Sequence, residues 1–307
     1  MASIDGSRAG GDDPARAVRS GVLAGITANA VWGFLPLLFY LVDDVDPFEV
    51  VAVRTACSLV IVAAIVLFAG RLGQVRAALS NRRIALTLMS SALLLAINWV
   101  IYVYAVQSNR VLEGSFGYFI NPMVNVFMGM VFLGERHSRW QTIGLALALV
   151  GIAIQAIGLG GVPFISLGLA LSFGTYGYLR KTVKADATNG LFIETLLLTP
   201  FALAYIVYSV VTSGIGPLGN PRDLLLLLAT GPATATPLLF YAFSVQRLRL
   251  TTAGMLQYIA PSIQFFLAIT FFGEHLNGLR LVSFMLVWVA LAVFSAESFR
   301  QQRAQAG

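Results

Sequence analysis

The chain has 307 residues, of which 58% are hydrophobic and only 11% charged, and its mean hydropathy is +0.81. A soluble domain carries about 25% charged residues, so this composition excludes an ordinary water-soluble enzyme. It equally excludes a disordered chain, which requires low hydrophobicity. The net charge of +6 and the pI near 9.7 raise the question of nucleic acid, which the placement of the basic residues answers.

A membrane-spanning helix needs about 20 mostly apolar residues. Ten such runs follow one another at 21–41, 48–69, 84–106, 113–133, 140–158, 163–180, 190–211, 223–243, 252–272 and 279–297. The sequence therefore predicts an all-α integral membrane protein of ten transmembrane helices. The loops between the runs are too short for a globular domain. Residues 1–19, polar and rich in Gly, Asp and Arg, read as a disordered cytoplasmic tail, and 298–307 as a second tail. Arg19 followed by Ala28-Asn29-Ala30 has the outline of a signal peptide. The run between them, Gly21 to Thr27, is short and weakly apolar, so the first span is read as retained.

Sixteen of the 20 Lys and Arg residues fall in the two tails and in alternate loops, at Arg71, Arg76, Arg82, Arg83, Arg136, Arg139, Arg180, Lys181, Lys184, Arg247 and Arg249 among others. The other loops hold three, Arg110, Arg222 and Arg280, and the remaining one, Arg54, lies inside a span. Basic loops stay in the cytoplasm, so both termini are expected there. The positive charge is thus a topology signal facing anionic lipid, and no nucleic-acid partner is implied. The single cysteine, Cys57, excludes a disulfide framework. The two histidines, His137 and His275, each follow a Gly-Glu helix end with no ligand set around them, so no metal and no cofactor is expected.

The chain repeats itself. Residues 115–135 and 254–274 match at a shift of 139, sharing Ile120/Ile259, Pro122/Pro261, Phe127/Phe266, Phe132/Phe271, Gly134/Gly273 and Glu135/Glu274. A weaker echo joins Trp32-Gly33 to Tyr176-Gly177. The shift equals five spans, an odd number, so the second half enters the membrane from the opposite side. Two inverted five-helix repeats, 20–158 and 163–297, are the architecture of many secondary transporters.

In such folds the site lies near the midplane, where helices are interrupted. Pro122 and Pro261 each remove a backbone donor and expose the carbonyl four residues earlier, at Tyr118 and Gln257. Asn121, Asn125, Gln257 and Gln264 gather around them, and 118, 121, 122 and 125 share a helical face. They are read as a polar cavity wall, against the alternative that Asn and Gln glue helices together. Asn98, Trp99 and Tyr102 form a second candidate wall, suited to stacking and a few hydrogen bonds, against an interfacial aromatic belt. Asn29, Trp32 and Tyr176 are further candidates, and Tyr241 a weaker one.

Ionisable residues inside spans are functional candidates. Arg54 lies near the outer end of span 2 and Glu194 near the inner end of span 7, too far apart along the membrane normal to pair. Arg54 is instead expected to meet Glu113 as an outer gate contact, and Glu194 to meet Arg180 or Lys181 as an inner one. The bland alternative is that each snorkels to its own interface. Gly144, Ala148 and Gly151 give span 5 a close-packing face for the bundle or for a homodimer.

Several stretches resemble the RarD branch of the EamA-type drug/metabolite transporters. They are Leu112-Glu113-Gly114-Ser115-Phe116-Gly117-Tyr118-Phe119-Ile120-Asn121-Pro122 with Gly134-Glu135-Arg136, Ala96-Ile97-Asn98-Trp99, Tyr176-Gly177-Tyr178-Leu179-Arg180-Lys181, Ile193-Glu194-Thr195, and Arg247-Leu248-Arg249-Leu250 with Gln257-Tyr258-Ile259-Ala260-Pro261. The resemblance covers about residues 20–300 and implies a ten-helix inner-membrane permease with two five-helix repeats. The family is often labelled chloramphenicol-sensitive or resistance-related. The long polar tail before span 1 departs from its pattern.

No Gly-x4-Gly-Lys-Ser/Thr motif is present, so transport would be secondary, driven by a coupled proton or an exchanged solute. The expected partners are a small-molecule solute and the lipid bilayer. The rival classes are an integral-membrane enzyme, which needs converging acids or histidines that the chain scatters, and a membrane scaffold or sensor.

Overall fold

A computed structural model of the chain describes residues 14–42, 45–108, 111–157, 164–271 and 278–306. Among the described residues there are helices and no strands, as lipid demands of a chain that must satisfy every backbone group internally. The helices are α1 (Pro14–Tyr40), α2 (Pro47–Phe68), α3 (Leu72–Ser80), α4 (Arg82–Gln107), α5 (Val111–Leu133), α6 (Arg139–Ile157), α7 (Phe164–Thr182), α8 (Ala187–Ser213), α9 (Pro221–Arg247), α10 (Leu250–Leu256), α11 (Ile259–Thr270) and α12 (Gly278–Ala306). Six of them, α1, α2, α4, α5, α8 and α9, contain stretches long and apolar enough to cross a membrane. Shorter apolar stretches lie at Arg139–Ile154 in α6 and Leu281–Glu297 in α12.

The boundaries differ from the sequence expectation in ways that have local causes. Helix α1 begins at Pro14, so 14–19 continue the first helix, and residues 1–13 lie outside the described residues. Proline is tolerated there because the first turn needs no N–H. Helix α12 runs on to Ala306, so 298–306 of the expected tail continue it, and residue 307 lies outside the described residues. The basic loop after α2 folds into the short amphipathic α3, which buries Val75 and Ala78. Helix α2 is capped by Asp46, whose Oδ1 accepts from Phe48 N and Glu49 N at 2.9 and 3.2 Å, with Pro47 at the first helical position.

The two prolines behave differently. Helix α5 runs through Pro122 without a break, contrary to the expected interruption. A lone proline removes only one intrahelical bond, and α10 packs tightly on that turn: a Cβ on Gly254 would stand 2.8 Å from the Pro122 carbonyl. The second run is broken between α10 and α11, at Gln257 and Tyr258. There Gln257 N and Tyr258 N donate to Gly254 O and Met255 O at 3.0 and 3.2 Å. The Gln257 carbonyl, orphaned by Pro261, accepts from Ala260 N at 3.3 Å instead.

Helix α1 packs on α9 and α11, α2 on α8 and α9, α4 on α7 and α8, α5 on α7 and α10, and α6 on α12. The small-residue face of the fifth run is used inside the chain. A Cβ on Gly144 would reach Ala290 O at 3.0 Å, one on Gly151 would reach Ser283 O at 3.0 Å, and Ser283 Oγ donates to Gly151 O at 2.8 Å. That face is taken by α12, so a homodimer loses the surface on which it was read.

Candidate functional site

Between α1, α2, α4, α5, α7, α9 and α11 lies a cavity of about 210 Å³. Asn29, Trp32, Arg54, Asn98, Trp99, Tyr102, Tyr118, Asn121, Gln257, Pro261 and Gln264, all candidates from the sequence, line it together. They come from five separate stretches of chain, so their convergence is a product of packing and not of spacing along one helix. Leu35, Pro36, Phe39, Phe173, Ala233, Thr234, Leu238 and Ala260 complete the wall and were not singled out from the sequence.

The amides divide into those spent on helix contacts and those left for the cavity. Asn98 Nδ2 donates to Leu169 O and to Ser172 Oγ, both at 3.0 Å, and so ties α4 to α7. Asn29 Nδ2 is spent on Gly25 O at 2.7 Å, and Gln264 Nε2 on Trp32 O at 3.2 Å. The buried Oδ1 of Asn121 and Nε2 of Gln257 have no partner among the described residues. A buried polar atom left unpaired costs about 1–3 kcal/mol, so these two are the groups a polar ligand would satisfy.

Asn125 and Tyr176 do not line the cavity. Asn125 sits one turn deeper on α5, where its Nδ2 donates to Gln257 Oε1 at 2.7 Å and to Tyr241 OH at 3.4 Å. The Tyr176 ring lies parallel to Tyr241 with centroids 6.3 Å apart, and both rings are fully enclosed. Together they form a plug below the cavity.

Trp32 meets Phe173, one turn before Tyr176. Both line the cavity, in edge-to-face contact at 5.7 Å. A Cβ on Gly33 would stand 2.7 Å from Ile263 Cβ, and one on Gly174 would stand 2.9 Å from Val124 Cβ.

Of the charged candidates, Arg54 faces the cavity, with its guanidinium carbon 4.5 Å above the centroid of Trp99. The side chain of Glu113, its expected partner, lies outside the described residues. Glu194 meets Arg180, not Lys181. Arg180 Nη1 is 3.6 Å from Glu194 Oε1, and neither side chain is exposed. Ser91 Oγ donates to Glu194 Oε1, Tyr176 OH donates to Oε2 at 3.4 Å, and Arg180 Nη2 donates to Ala187 O at 2.9 Å. Lys181 instead donates to the carbonyls of Val245 and Leu248 at the end of α9.

Glu135, noticed only as part of a repeated Gly-Glu, is the side chain that starts α10. Its carboxylate accepts from Leu250 N at 2.6 Å, Thr251 N at 3.0 Å and Thr251 Oγ1 at 2.6 Å, with Arg249 Nε 3.8 Å away. An anion suits a helix N-terminus because orphan N–H groups and the helix dipole both point at it. Gly134, at φ +63°, turns the chain so that Glu135 can reach back, and Glu135 N donates to Gly129 O at 3.0 Å.

His137 Nε2 stands 3.0 Å from Thr251 Oγ1. That hydroxyl already donates to Glu135, so the imidazole is the donor. Burial pushes the His137 pKa down and Arg249 adds to this, against an opposing pull from Glu135. The unfolded chain therefore takes up this proton first as pH falls below about 6.5. Stability is full above that value and is lost as pH falls towards the lower folded-state pKa. Thermal unfolding of detergent-solubilised protein between pH 7.5 and 5 is expected to show this loss, and His137→Asn to flatten it. Equal slopes for the two proteins would contradict the assignment.

Comparisons with known proteins bear on the family and the fold. The model of the EamA-like transporter family matches residues 19–156. The Protein RarD of Salmonella typhi is 39% identical over 94% of this chain and 99% of its own length. An uncharacterized transporter of Pseudomonas aeruginosa is 39% identical over 93% of this chain and 96% of its own. A solved crystal structure, 18% identical, superposes with a TM-score of 0.71 over 92% of this chain and 99% of that one, which establishes a shared fold. The chain belongs to the RarD branch of the EamA-like transporter family, and is a multi-pass transporter of the bacterial inner membrane.

Proposed function

We propose that the chain is a secondary-active permease that moves a small metabolite or drug-like solute by alternating access, with the cavity as its substrate site. The observation that carries this reading is the cavity itself, where amides and aromatic rings from both halves of the chain converge. The two halves act as inverted five-helix repeats, 20–158 and 163–297, with α10 and α11 together making the ninth of ten spans. The largest helix contacts support this because they exchange between the halves. The packing of α1 on α9 answers that of α7 on α4, α5 on α7 answers α11 on α1, and α2 on α9 answers α8 on α4. Helices α2 and α8, α5 and α10, and α6 and α12 each pair with their own counterparts.

With the termini in the cytoplasm, the cavity belongs to the outer half. Its residues on α1 and α4 come from the C-terminal halves of those helices, and those on α2 and α5 from the N-terminal halves. The inner half is closed by the Tyr176–Tyr241 plug, the Arg180–Glu194 pair and the Glu135 cap on α10. At a shift of 139, Glu274 would stand to Val111 and Leu112 as Glu135 stands to Leu250 and Thr251. Glu274 lies outside the described residues, and its contact is the expected outer counterpart of the inner cap. The driving force would be a coupled proton or an exchanged solute.

The test is counterflow in proteoliposomes loaded with a metabolite pool and read by mass spectrometry. Asn121→Ala is expected to lower exchange about tenfold, the worth of one hydrogen bond of about 1.4 kcal/mol, without loss of folded protein. Asn98→Ala, whose amide ties α4 to α7, is expected to lower exchange together with thermal stability. Unchanged kinetics in both variants would refute the site.

A further inference from the structure

On the reading that the cavity is the substrate site, we propose that its ligand is an aromatic monocarboxylate, docked by its carboxylate on Arg54. Among the described residues, two arginines are buried in the bundle, Arg54 and Arg180. Arg180 is fully enclosed and has its carboxylate, Glu194. Arg54 is 8% exposed, lines the cavity and forms no ion pair among the described residues. Among the described residues its Nε has no hydrogen-bond partner, and no carboxylate is among the described side chains that line the cavity. A cation taken out of water needs compensation. Arg180 finds it inside the protein, at a place closed to ligands. Arg54 has only the face of Trp99, whose cation–π attraction offsets part of the loss.

The stacked face of a guanidinium leaves its edge free, and that edge presents paired N–H donors matched to the two oxygens of a carboxylate. One positive charge at low dielectric balances one negative charge. A dianion would bring an excess charge, and a zwitterion would bring an ammonium with no carboxylate in the wall to receive it. The rest of the wall suits a flat apolar body. Trp32 and Phe173 form an edge-to-face pair, and the Tyr102 and Tyr118 rings stand 5.8 Å apart on the same lining as Arg54. Asn121 Oδ1 and Gln257 Nε2 remain for a polar substituent on that body.

Equilibrium dialysis of the purified full chain in nanodiscs, with labelled indole-3-acetate, indole-3-acetamide, tryptamine and tryptophan, tests the assignment. Indole-3-acetate is expected to bind at least tenfold more tightly than the other three. Arg54→Gln should weaken indole-3-acetate at least tenfold and leave indole-3-acetamide unchanged, and Arg54→Lys should recover part of the loss. Tighter binding of tryptamine or tryptophan, or an Arg54→Gln protein that holds indole-3-acetate as before, overturns the proposal. If Arg54→Gln does not fold, the ranking of acid over amide on the unaltered chain decides. Failure of all four probes, with counterflow from the metabolite pool still lost in Asn121→Ala, overturns the ligand class and leaves the cavity as the site. Counterflow indifferent to Asn121→Ala removes the site itself.

Discussion

Glu194→Leu is expected to destabilise the protein by about 3–5 kcal/mol, the range seen when one partner of a buried ion pair is removed. Arg180 is then left fully enclosed with one hydrogen bond, from Nη2 to Ala187 O. Its Nε and Nη1 have no hydrogen-bond partner even with Glu194 in place. It cannot swing aside, because its guanidinium lies flat against Gly190, where even a Cβ would collide. The carboxylate is also the acceptor for Ser91 and Tyr176, so its loss strands the Tyr176 hydroxyl on α7 and leaves Ser91 Oγ only Leu88 O, at 2.9 Å, as acceptor. Removing both charges is a different perturbation. An Arg180→Met, Glu194→Leu double variant is expected to regain most of the loss, since well-packed apolar pairs often equal or exceed a buried ion pair. Thermal unfolding in detergent, with the yield of monodisperse protein, separates the cases. Single variants within about 1 kcal/mol of the unaltered chain would contradict the argument. The double variant then asks what the pair is for. Stable protein with slowed exchange would assign it to gating, and stable protein with normal exchange would assign it to assembly alone.

The polar residues show how far a sequence can be read in a membrane protein. Amides in apolar runs are conspicuous because they are expensive facing lipid, and Asn29, Asn98, Asn121, Gln257 and Gln264 all line the cavity. What spacing cannot give is depth within a face. Asn125 shares a face with Asn121, but the plug formed with Tyr241 closes the cavity one turn above it. Depth along the membrane normal is readable for the ions: it separates Arg54 from Glu194 and leaves Arg180 or Lys181 for Glu194, of which the packing takes Arg180. Whether Arg54 turns to a loop or to the cavity depends on the rotation of α2 against α4, which no residue count contains.

The echo of Trp32-Gly33 in Tyr176-Gly177 is ambiguous by one helical turn, because Phe173-Gly174 offers the same aromatic–glycine pair. The packing of Ile263 on Gly33 and of Val124 on Gly174 favours the second match. Phe173, Pro36 and Thr234 carry no chemistry that distinguishes them from ordinary span residues. Glu135 was visible as a repeated residue, but its role depends on the N-terminus of α10, 115 residues away.

Gly231→Val is expected to destabilise the protein by about 3 kcal/mol, the upper part of the range for overpacking. Helices α2 and α9 touch here at backbone distance. The position of a Cβ on Gly231 overlaps the Cβ of Cys57 and stands 3.3 Å from its carbonyl carbon. Such atoms have no rotamer to escape into, so the helices must separate. Ser58 Oγ, which donates both to Arg54 O at 2.6 Å and to Gly231 O at 3.2 Å, would lose its cross-helix acceptor. Separation at this point also moves the cavity wall, because Arg54 lies three residues before Cys57, and Ala233 and Thr234 follow Gly231. Cys57→Ala offers no relief, as the clash is with Cβ; Cys57→Gly does. A Gly231→Ala, Cys57→Gly pair should therefore restore both thermal stability and exchange, while Gly231→Ala alone lowers both. Equal behaviour of the single and double variants would show that the close approach of α2 and α9 is not what holds the cavity in shape.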